Sequence, residues 1–310
     1  MLLSILILVI GLVLLIKGAD FFIKGASSLA MKFKIPQIVI GLTIVAMGTS
    51  APEASVSINS ALKGITGVAI GNVFGSNIAN VLLILGLTSA ICALKLQKNS
   101  VKYEMPFVFF ITLLLCGAGY YLQTLDRVCG VIMLLLFGAF LAYLFKMAQS
   151  SKDEPQEDLP KPMNPWLMLI CIVGGLAALV YGSDLTVNSA IDIAHRLSIS
   201  DRIIGLTIVA IGTSLPELVT CVIAALKKQP DLAVGNIIGS NIFNILFVLG
   251  LTCVIQPVGF DPAFILDGIV AIISVILLFI YTCGDRKLTR WEGCSLLVLY
   301  AIYLGYLIVK

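Results

Sequence analysis

Apolar stretches of about 20 residues recur along the whole chain, and each is long enough to cross roughly 30 Å of hydrocarbon. Because lipid offers the backbone no hydrogen-bond partners, long apolar stretches in a membrane form helices, which satisfy their own peptide groups. We therefore predict an all-α polytopic membrane protein with ten transmembrane helices. The predicted spans lie at 2–24, 36–61, 67–92, 104–122, 127–147, 165–190, 201–226, 231–256, 263–283 and 291–308.

The composition agrees with a lipid environment and excludes a soluble domain. Of the 310 residues, 59% are hydrophobic and 12% are charged, and the mean hydropathy is +1.07. Soluble domains carry about 25% charged residues, so this chain could not cover a water-facing surface with polar groups. The net charge of +3, without a basic stripe, predicts no nucleic-acid partner, whereas the apolar spans predict membrane lipid as a partner. A monomer is compatible with the sequence, which leaves the oligomeric state open.

A hydrophilic segment, residues 148–164, divides five predicted spans from five. The chain is thus predicted to consist of a first five-helix unit at 1–147, a linker at 148–164 and a second five-helix unit at 165–310. With the N-terminus placed outside, the inner loops hold 13 Lys and Arg residues and the outer loops hold five. Positive residues favour the cytoplasmic side. Both termini are therefore predicted outside the cell (inner) membrane, with the linker in the cytoplasm.

The two units are copies of each other in one constant register, in which position 40 corresponds to position 204 and position 71 to position 235. Residues 40–53 and 204–217 are identical at 12 of 14 positions, and residues 71–88 and 235–252 at 12 of 18. Since each copy contains an odd number of spans, the second copy must cross the membrane in the opposite sense. Inverted repeats are typical of secondary transporters, whose substrate site lies near the midplane between the repeats. In a duplicated scaffold without a transport role, the two copies would share mainly their apolar packing faces. Here the most similar segments contain the hydroxyl and carboxylate residues.

The first repeated motif, G-T-S-x-P-E, places a carboxylate at membrane depth in each copy, at Glu53 and Glu217. The proline weakens the helix and frees a backbone carbonyl about one turn earlier. A charge at the centre of a span costs about 2.5–3.5 kcal/mol, and neither motif holds a Lys or Arg to compensate it. A bound cation is the natural partner, and oxygen ligands favour Na⁺ or Ca²⁺ over transition metals. The accompanying hydroxyl groups belong to Thr49, Ser50, Thr213 and Ser214.

The second repeated motif, G-N-x-x-G-S-N-I-x-N, begins the third and eighth spans. Ser76 and Asn80 are four residues apart, and so are Ser240 and Asn244, which puts each pair on one helix face. We expect these neutral oxygens to complete a coordination shell. The glycines of the motif are expected to let neighbouring helices approach closely.

The remaining polar residues are weaker candidates. Asp20 and Asp184 occupy equivalent positions of the repeat and are predicted to make structural contacts, with Lys17 either pairing with Asp20 or snorkelling. Glu104 lies near a span end and is predicted to be solvated, and His195 is predicted at the surface. The eight cysteines form no C-x-x-C pair, so we expect small buried side chains without a metal or disulfide role.

With both motifs present twice, the sequence resembles the sodium/calcium exchanger family of the calcium/cation antiporters, in its compact prokaryotic form. The resemblance implies a transporter and not an enzyme, without a cofactor, in which Na⁺ entry drives Ca²⁺ out by alternating access. It implies that the two glutamates are central ligands shared by both ions, and that the serines of the second motif bind Na⁺. The implied ligands are Glu53, Glu217, Thr49, Ser50, Thr213, Ser214, Ser76, Ser240, Asn80 and the carbonyls of Ala46 and Ala210.

Position 244 distinguishes this chain from some relatives, which carry Asp where this sequence has Asn244. The predicted central site then contains two carboxylates and two amides, Asn80 and Asn244, and is nearly symmetric. By charge count, this composition disfavours an additional K⁺ site. It favours competition between one Ca²⁺ and several Na⁺ over the same oxygens.

Three other functions stay open on the sequence alone. In a Ca²⁺/H⁺ or other cation/H⁺ antiporter, Glu53 and Glu217 would exchange protons in place of Na⁺. An intramembrane hydrolase would use Glu53 and Glu217 as paired acids or Ser50 as a nucleophile, but no His base for Ser50 lies at similar depth and no H-E-x-x-H motif occurs. A passive channel would conduct ions past the same residues without coupling two gradients.

Overall fold

The computed structural model describes residues 2–150, 162–197 and 210–309, and these ranges are almost entirely helical. The helices of the first half are α1 Leu2–Phe33, α2 Gln37–Thr49, α3 Ala51–Leu62, α4 Gly67–Ile91, α5 Ser100–Leu122 and α6 Arg127–Ser150. Those of the second half are α7 Pro165–Arg196, α8 Ala210–Gly212, α9 Leu215–Leu226, α10 Pro230–Ile255, α11 Phe264–Thr282 and α12 Arg290–Val309.

Eight of the described helices are long and apolar enough to cross a membrane, and the bent pair α2 and α3 makes a ninth when counted as one span. Helix α9 is apolar but shorter, and residues 201–209 of its predicted span lie outside the described ranges. The chain is thus an all-helical multi-pass membrane protein. The count of ten spans and the inversion of the second unit stay predictions, and the linker 148–164 is described only at its ends.

Helices α1 and α7 pass each other at backbone distance. A Cβ atom built on Gly18 would lie 2.9 Å from the carbonyl oxygen of Gly175, and one built on Gly182 would lie 2.8 Å from the backbone nitrogen of Leu15. Only glycine allows so close an approach, which gains van der Waals contact where lipid provides no hydrophobic driving force. Gly18 and Gly182 are equivalent positions of the repeat, which therefore places the two crossing points symmetrically.

Polar contacts also join α1 to the last turns of α7 and to the residues just before α7. The hydroxyl of Ser4 donates to the carboxylate of Asp192, and the backbone N–H of Met163 donates to Ser28 Oγ at 2.8 Å. Both helices run past their predicted ends at 24 and 190, to Phe33 and Arg196. The extra turns contain polar residues that these contacts satisfy, which hydropathy alone does not register.

The helix breaks occur where the G-T-S-x-P-E motifs predict them. Ser50 (φ −84°, ψ 11°) separates α2 from α3, and Ser214 (φ −90°, ψ 6°) precedes α9. A proline stands in the first turn of the helix that follows each break, where its missing N–H has no intrahelical partner to lose. The axes of α2 and α3 differ by 47° across the break. Each carboxylate of the motif therefore lies in the first turn of a new helix, at Glu53 and Glu217.

Helices α4 and α10 form the buried centre of the molecule, and both are interrupted by a π-helical turn. The π segments are Ala79–Leu85 and Phe243–Leu249, which begin at equivalent positions of the repeat and contain Asn80 and Asn244. Such widened turns are common at functional sites because they turn side chains out of the regular helical register. The sequence pattern predicted a regular helix here and did not indicate the widening.

The glycines of α10 make the close helix contacts that the second motif predicts. A Cβ atom on Gly239 would lie 2.7 Å from the Cα of Leu42, and one on Gly235 would lie 3.1 Å from the Cα of Gly41. Helix α2 therefore rests directly on the backbone of α10. In the register of the repeat, the neighbours expected for the glycines of α4 fall in 202–210, almost all of it outside the described ranges.

Four two-residue strands join the halves at the edges of the core. They are β1 Leu94–Lys95, β2 Thr124–Leu125, β3 Val258–Gly259 and β4 Lys287–Leu288. Strand β1 pairs with β4 and β2 pairs with β3, both antiparallel, so each ladder contains one strand from each half. Two-residue ladders carry no hydropathy signal, and the sequence analysis did not predict them.

Candidate ion-binding site

Glu53 and Glu217 are buried at the helix breaks, and each contacts the serine of the opposite half. Ser50 Oγ donates to Glu217 Oε1 at 2.7 Å, and Ser214 Oγ donates to Glu53 Oε1 at 3.2 Å. Both carboxylates are 1% exposed. The structure thus brings the two first motifs together, with each serine bridging to the carboxylate that lies in the other copy.

Four buried acceptor oxygens around this point have no hydrogen-bond partner among the described residues. They are Glu53 Oε2, Glu217 Oε2, Asn80 Oδ1 and Asn244 Oδ1. A buried polar atom without a partner costs about 1–3 kcal/mol, and a charged one costs more. Carboxylate and amide oxygens are the ligands of hard cations. The arrangement can therefore hold a cation that compensates both carboxylates at once.

Helix packing brings the amides close to the carboxylates. The π segment that carries Asn244 packs against α3, which carries Glu53, and the π segment that carries Asn80 packs against α9, which carries Glu217. In the described part of the chain, no group of three or more His, Cys, Asp or Glu residues comes together. The acidic component of this site is therefore the glutamate pair, supplemented by neutral oxygens.

The remaining hydroxyl groups of the predicted set are placed differently in the two halves. Thr49 is fully buried and its hydroxyl lies 3.1 Å from the Val45 carbonyl and 3.0 Å from Asn236 Oδ1, whereas Thr213 is half-buried. Ser76 is 3% exposed, and Ser240 is fully buried with no partner for its hydroxyl among the described residues. The structure therefore leaves Ser240 Oγ free to bind a ligand.

The two predicted backbone ligands flank the helix breaks. The carbonyl oxygen of Ala46 accepts the backbone N–H of Ser50 at 3.0 Å and the hydroxyl of Thr49 at 3.4 Å, so it is already engaged by its own helix. Ala210 opens the short helix α8, which ends one residue before Thr213. Both alanines thus lie within one turn of the break in their own half.

Four asparagines of the second motif that the sequence analysis passed over belong to the same region. Asn72 Nδ2 donates to the Glu53 carbonyl at 3.0 Å and to Ser57 Oγ at 2.9 Å, while its counterpart Asn236 contacts Thr49. Asn77 and Asn241 contact each other and the two central amides, as described below. Identity across the repeat marked all four positions, and Asn77 and Asn241 stand three residues before Asn80 and Asn244, on the same helix face, a signal that the sequence analysis did not use.

Asp20 does not belong to the ion-binding region. Its carboxylate pairs with Lys24 at 2.8 Å and with Lys227 at 2.5 Å, so the predicted structural contact is confirmed. The partner is not Lys17, whose side chain is exposed, as expected for a snorkelling lysine. Asp184, the counterpart of Asp20, is exposed.

The expectation for Glu104 was wrong. The residue is 1% exposed, and Tyr143 Oη donates to Glu104 Oε1 at 2.6 Å. Helix α5 begins earlier than predicted, at Ser100, so this carboxylate lies inside the first turns and not at the end of the span. His195 is exposed, as predicted, and of the eight cysteines four are buried and two, Cys283 and Cys294, are exposed.

Comparison with known proteins identifies similar chains over nearly the full length. A family model described as sodium/calcium exchanger protein matches residues 3–146 and 167–309. CaxA from Alkalimonas amylolytica is 42% identical over 99% of this chain and 98% of its own length. The sodium/calcium exchanger MaX1 from Methanosarcina acetivorans is 34% identical over 96% of this chain and 97% of its own length. The Ca²⁺/H⁺ antiporter ChaA from Bacillus subtilis is 26% identical over 85% and 81%.

Solved structures show the same fold. The sodium-calcium exchanger NCX_Mj, in crystals soaked with Na⁺ and Sr²⁺, superposes with a TM-score of 0.85. It is 32% identical and the superposition covers 98% of both chains. The described helices therefore have the arrangement of a known ion exchanger.

Proposed function

The chain belongs to the sodium/calcium exchanger protein family, and from this premise we propose that Na⁺ entry drives Ca²⁺ out of the cell through it by alternating access. The family and the fold support antiport of Ca²⁺ against another cation. The choice of Na⁺ as that cation, the direction of transport and the residues that bind the ions are our proposals.

The observation that carries the proposal is the set of four unpartnered buried oxygens. Two carboxylates, from Glu53 and Glu217, supply two negative charges, which one Ca²⁺ neutralises. The amide oxygens of Asn80 and Asn244 add neutral ligands without adding charge, as a site for a hard cation requires. Mg²⁺ fits less well, because it gives up its water reluctantly.

Exchange follows when the two ions compete for these oxygens. Glu53 and Glu217 would be shared by both ions, while hydroxyl groups on either side would bind Na⁺ when Ca²⁺ is absent. The proposed Na⁺ ligands are Thr49, Ser50, Ser76, Thr213, Ser214, Ser240 and the carbonyls of Ala46 and Ala210. Since Ca²⁺ and Na⁺ cannot occupy shared ligands together, each must leave before the other binds, and the gradient of one drives the other.

Alternating access is supported by the arrangement of the two halves. The contacts between Ser50 and Glu217 and between Ser214 and Glu53 are equivalent in the register of the repeat, which is what a two-fold relation between repeats produces. We propose that the units 1–147 and 165–310 are inverted with respect to each other. The excess of Lys and Arg in alternate loops supports termini outside the cell membrane and a cytoplasmic linker.

The test is Ca²⁺ uptake into liposomes that contain the purified protein and are loaded with Na⁺. Dilution into a Na⁺-free buffer with radioactive Ca²⁺ should drive uptake, and equal Na⁺ on both sides should abolish it. Uptake that is indifferent to the Na⁺ gradient would refute Na⁺ coupling. A Na⁺-independent current in planar bilayers would instead indicate a channel.

Proton coupling is the second candidate, because the related ChaA is named a Ca²⁺/H⁺ antiporter. In that case Glu53 and Glu217 would exchange Ca²⁺ for protons. Liposomes with an acidic interior and no Na⁺ on either side distinguish the two. Uptake driven by the pH gradient alone would favour protons, and its absence together with Na⁺-driven uptake would exclude them.

A further inference from the structure

We propose that Asn77 and Asn241 are positioning residues, which hold the amides of Asn244 and Asn80 with the oxygen toward the transported cation. Neither residue belongs to the proposed ligand set. The inference rests on the proposed function, since it concerns the orientation of two ligands of the central site. Its basis is a chain of hydrogen bonds in which each amide orientation determines the next.

The chain begins at two backbone carbonyls. Asn77 Nδ2 donates to the carbonyl oxygen of Asn241 at 3.2 Å, and Asn241 Nδ2 donates to the carbonyl oxygen of Asn77 at 3.5 Å. A carbonyl oxygen can only accept a hydrogen bond, so the NH₂ group of each side chain must face it. The side-chain oxygen of each residue is thereby directed away from the opposite backbone.

These two side-chain oxygens meet the central amides. Asn241 Oδ1 accepts Asn80 Nδ2 at 2.9 Å, and Asn77 Oδ1 accepts Asn244 Nδ2 at 3.2 Å. The NH₂ groups of Asn80 and Asn244 are therefore occupied, and their oxygens are the atoms left without a partner among the described residues. If either amide turned over, its NH₂ donors would replace the oxygen, and a donor group repels a cation.

Burial makes this orientation important. All four asparagines are at most 4% exposed, so water does not readily replace a lost partner. An amide side chain has nearly the same shape in both orientations, and only its hydrogen bonds select one of them. Loss of one such bond changes an equilibrium by about tenfold, and we expect an effect of this size on Ca²⁺ binding.

Each positioning residue acts across the repeat. Asn77 in the first half orients Asn244 in the second, and Asn241 in the second half orients Asn80 in the first. The two contacts are therefore separate and can be tested separately.

Aspartate at position 244 provides a discriminating background. A carboxylate presents oxygen on both sides, so its orientation has no effect on the ligand that the cation meets. In Asn244→Asp the positioning role of Asn77 should disappear, whereas the role of Asn241 toward Asn80 should persist.

The experiment is a double-mutant cycle on the full-length protein in liposomes, with Na⁺-driven Ca²⁺ uptake measured across Ca²⁺ concentrations. We expect Asn77→Ala to raise the half-saturating Ca²⁺ concentration about tenfold in the wild-type background, with a smaller effect on the maximal rate. In the Asn244→Asp background, Asn77→Ala should change the half-saturating Ca²⁺ concentration less than about twofold. Asn241→Ala should raise the half-saturating Ca²⁺ concentration as strongly in the Asn244→Asp background as in the wild type. In the Asn80→Asp background, Asn241→Ala should have little effect on this concentration.

Equal effects of Asn77→Ala in both backgrounds would overturn the proposal, because they would show a general structural role. Thermal melting of every variant checks folding. If Asn77→Ala does not fold, the mirror cycle of Asn241→Ala with Asn80→Asp decides, and loss of folding in both alanine variants would also overturn the proposal. A wild-type protein without Na⁺-driven uptake would refute the proposed function instead. Calorimetric titration of purified variants with Ca²⁺ would then test the positioning role without transport.

Discussion

Asp20 in the first half and Asp184 in the second occupy equivalent positions of the repeat, yet their surroundings differ. Asp20 is ion-paired with Lys227 at 2.5 Å. The residue equivalent to Lys227 is Lys63, and within the described ranges no ion pair joins it to Asp184. Both Asp184 and Lys63 are exposed. Equivalent charges thus form an ion pair at one end of the molecule, here called the closed end, and among the described residues form none at the other, here called the open end.

A second contact at the closed end has no counterpart in the sequence. Ser27 Oγ lies 2.9 Å from Gln229 Oε1, but the equivalent positions are Ile191 and Ile65, which cannot form a hydrogen bond. One part of the asymmetry therefore arises because the residues at equivalent positions differ. The other part, the ion pair, is chemically available at both ends and formed at only one. Equivalent positions of the two repeats can thus have different local surroundings even where their charged residues are the same.

The largest effect is expected where the two halves are equivalent. Glu53→Gln and Glu217→Gln should each reduce Ca²⁺ exchange by about 100-fold or more, because each removes a charge that the cation compensates. Both variants should fold, since the amide retains the shape and can accept the serine hydroxyl. Initial rates of Na⁺-driven Ca²⁺ uptake measure the effect. Near-normal exchange in either variant would refute the equivalence of Glu53 and Glu217 and their assignment to the central site.

The next largest effect concerns the crossing of α1 and α7. Gly18→Ala and Gly182→Ala should each destabilise the fold by about 1–3 kcal/mol, because the added Cβ would lie within 3 Å of the opposite backbone. Melting temperatures in detergent measure the loss. Gly174→Ala is the matched control, since, apart from the adjoining backbone of its own helix, no atom of the described residues lies within 4 Å of a Cβ built there. A much larger loss for one crossing glycine than for the other would show that the crossing is asymmetric.

A smaller effect should separate the two serine contacts of the site. Ser50→Ala and Ser214→Ala should raise the half-saturating Ca²⁺ concentration by roughly three- to tenfold, because each removes a hydrogen bond that orients a carboxylate. Ser50→Ala should raise this concentration more than Ser214→Ala, since the hydrogen bond from Ser50 to Glu217 is 2.7 Å long and that from Ser214 to Glu53 is 3.2 Å long. Ca²⁺ titrations of transport rate measure both. The reverse order would contradict the difference in geometry.

The smallest effect tests the asymmetric ion pair itself. Lys227→Ala should lower the free energy of unfolding by at most about 1 kcal/mol, because both partners of the pair are more than a quarter exposed. Lys63→Ala should have an effect within about 0.5 kcal/mol. Thermal melting in detergent compares the two. Equal losses of stability in Lys227→Ala and Lys63→Ala would mean that Lys63 also contributes an ion pair. The proposed difference between the two ends would then be refuted.

The broken helices show why part of the fold could be predicted. Helix interruption at G-T-S-x-P-E depends on the proline, the glycine and the serines within one segment, and the break appears at Ser50 and Ser214 as expected. The buried carboxylates follow from the same local pattern, since a membrane segment leaves them no exit to water. Glu104 shows the limit. Its burial depends on Tyr143 in another helix, and no local pattern contains that partner.

By itself, the sequence determined the membrane environment and the internal repeat, and it predicted the polar residues of the candidate site. These follow from composition and from spacing along one segment at a time. Only the tertiary structure decided which oxygens of those polar residues lack a partner among the described residues, which asparagines orient them, and that Asp20 pairs with Lys227. The physical reason is that each of these contacts joins one half of the chain to the other, and their distance and orientation are set by helix packing.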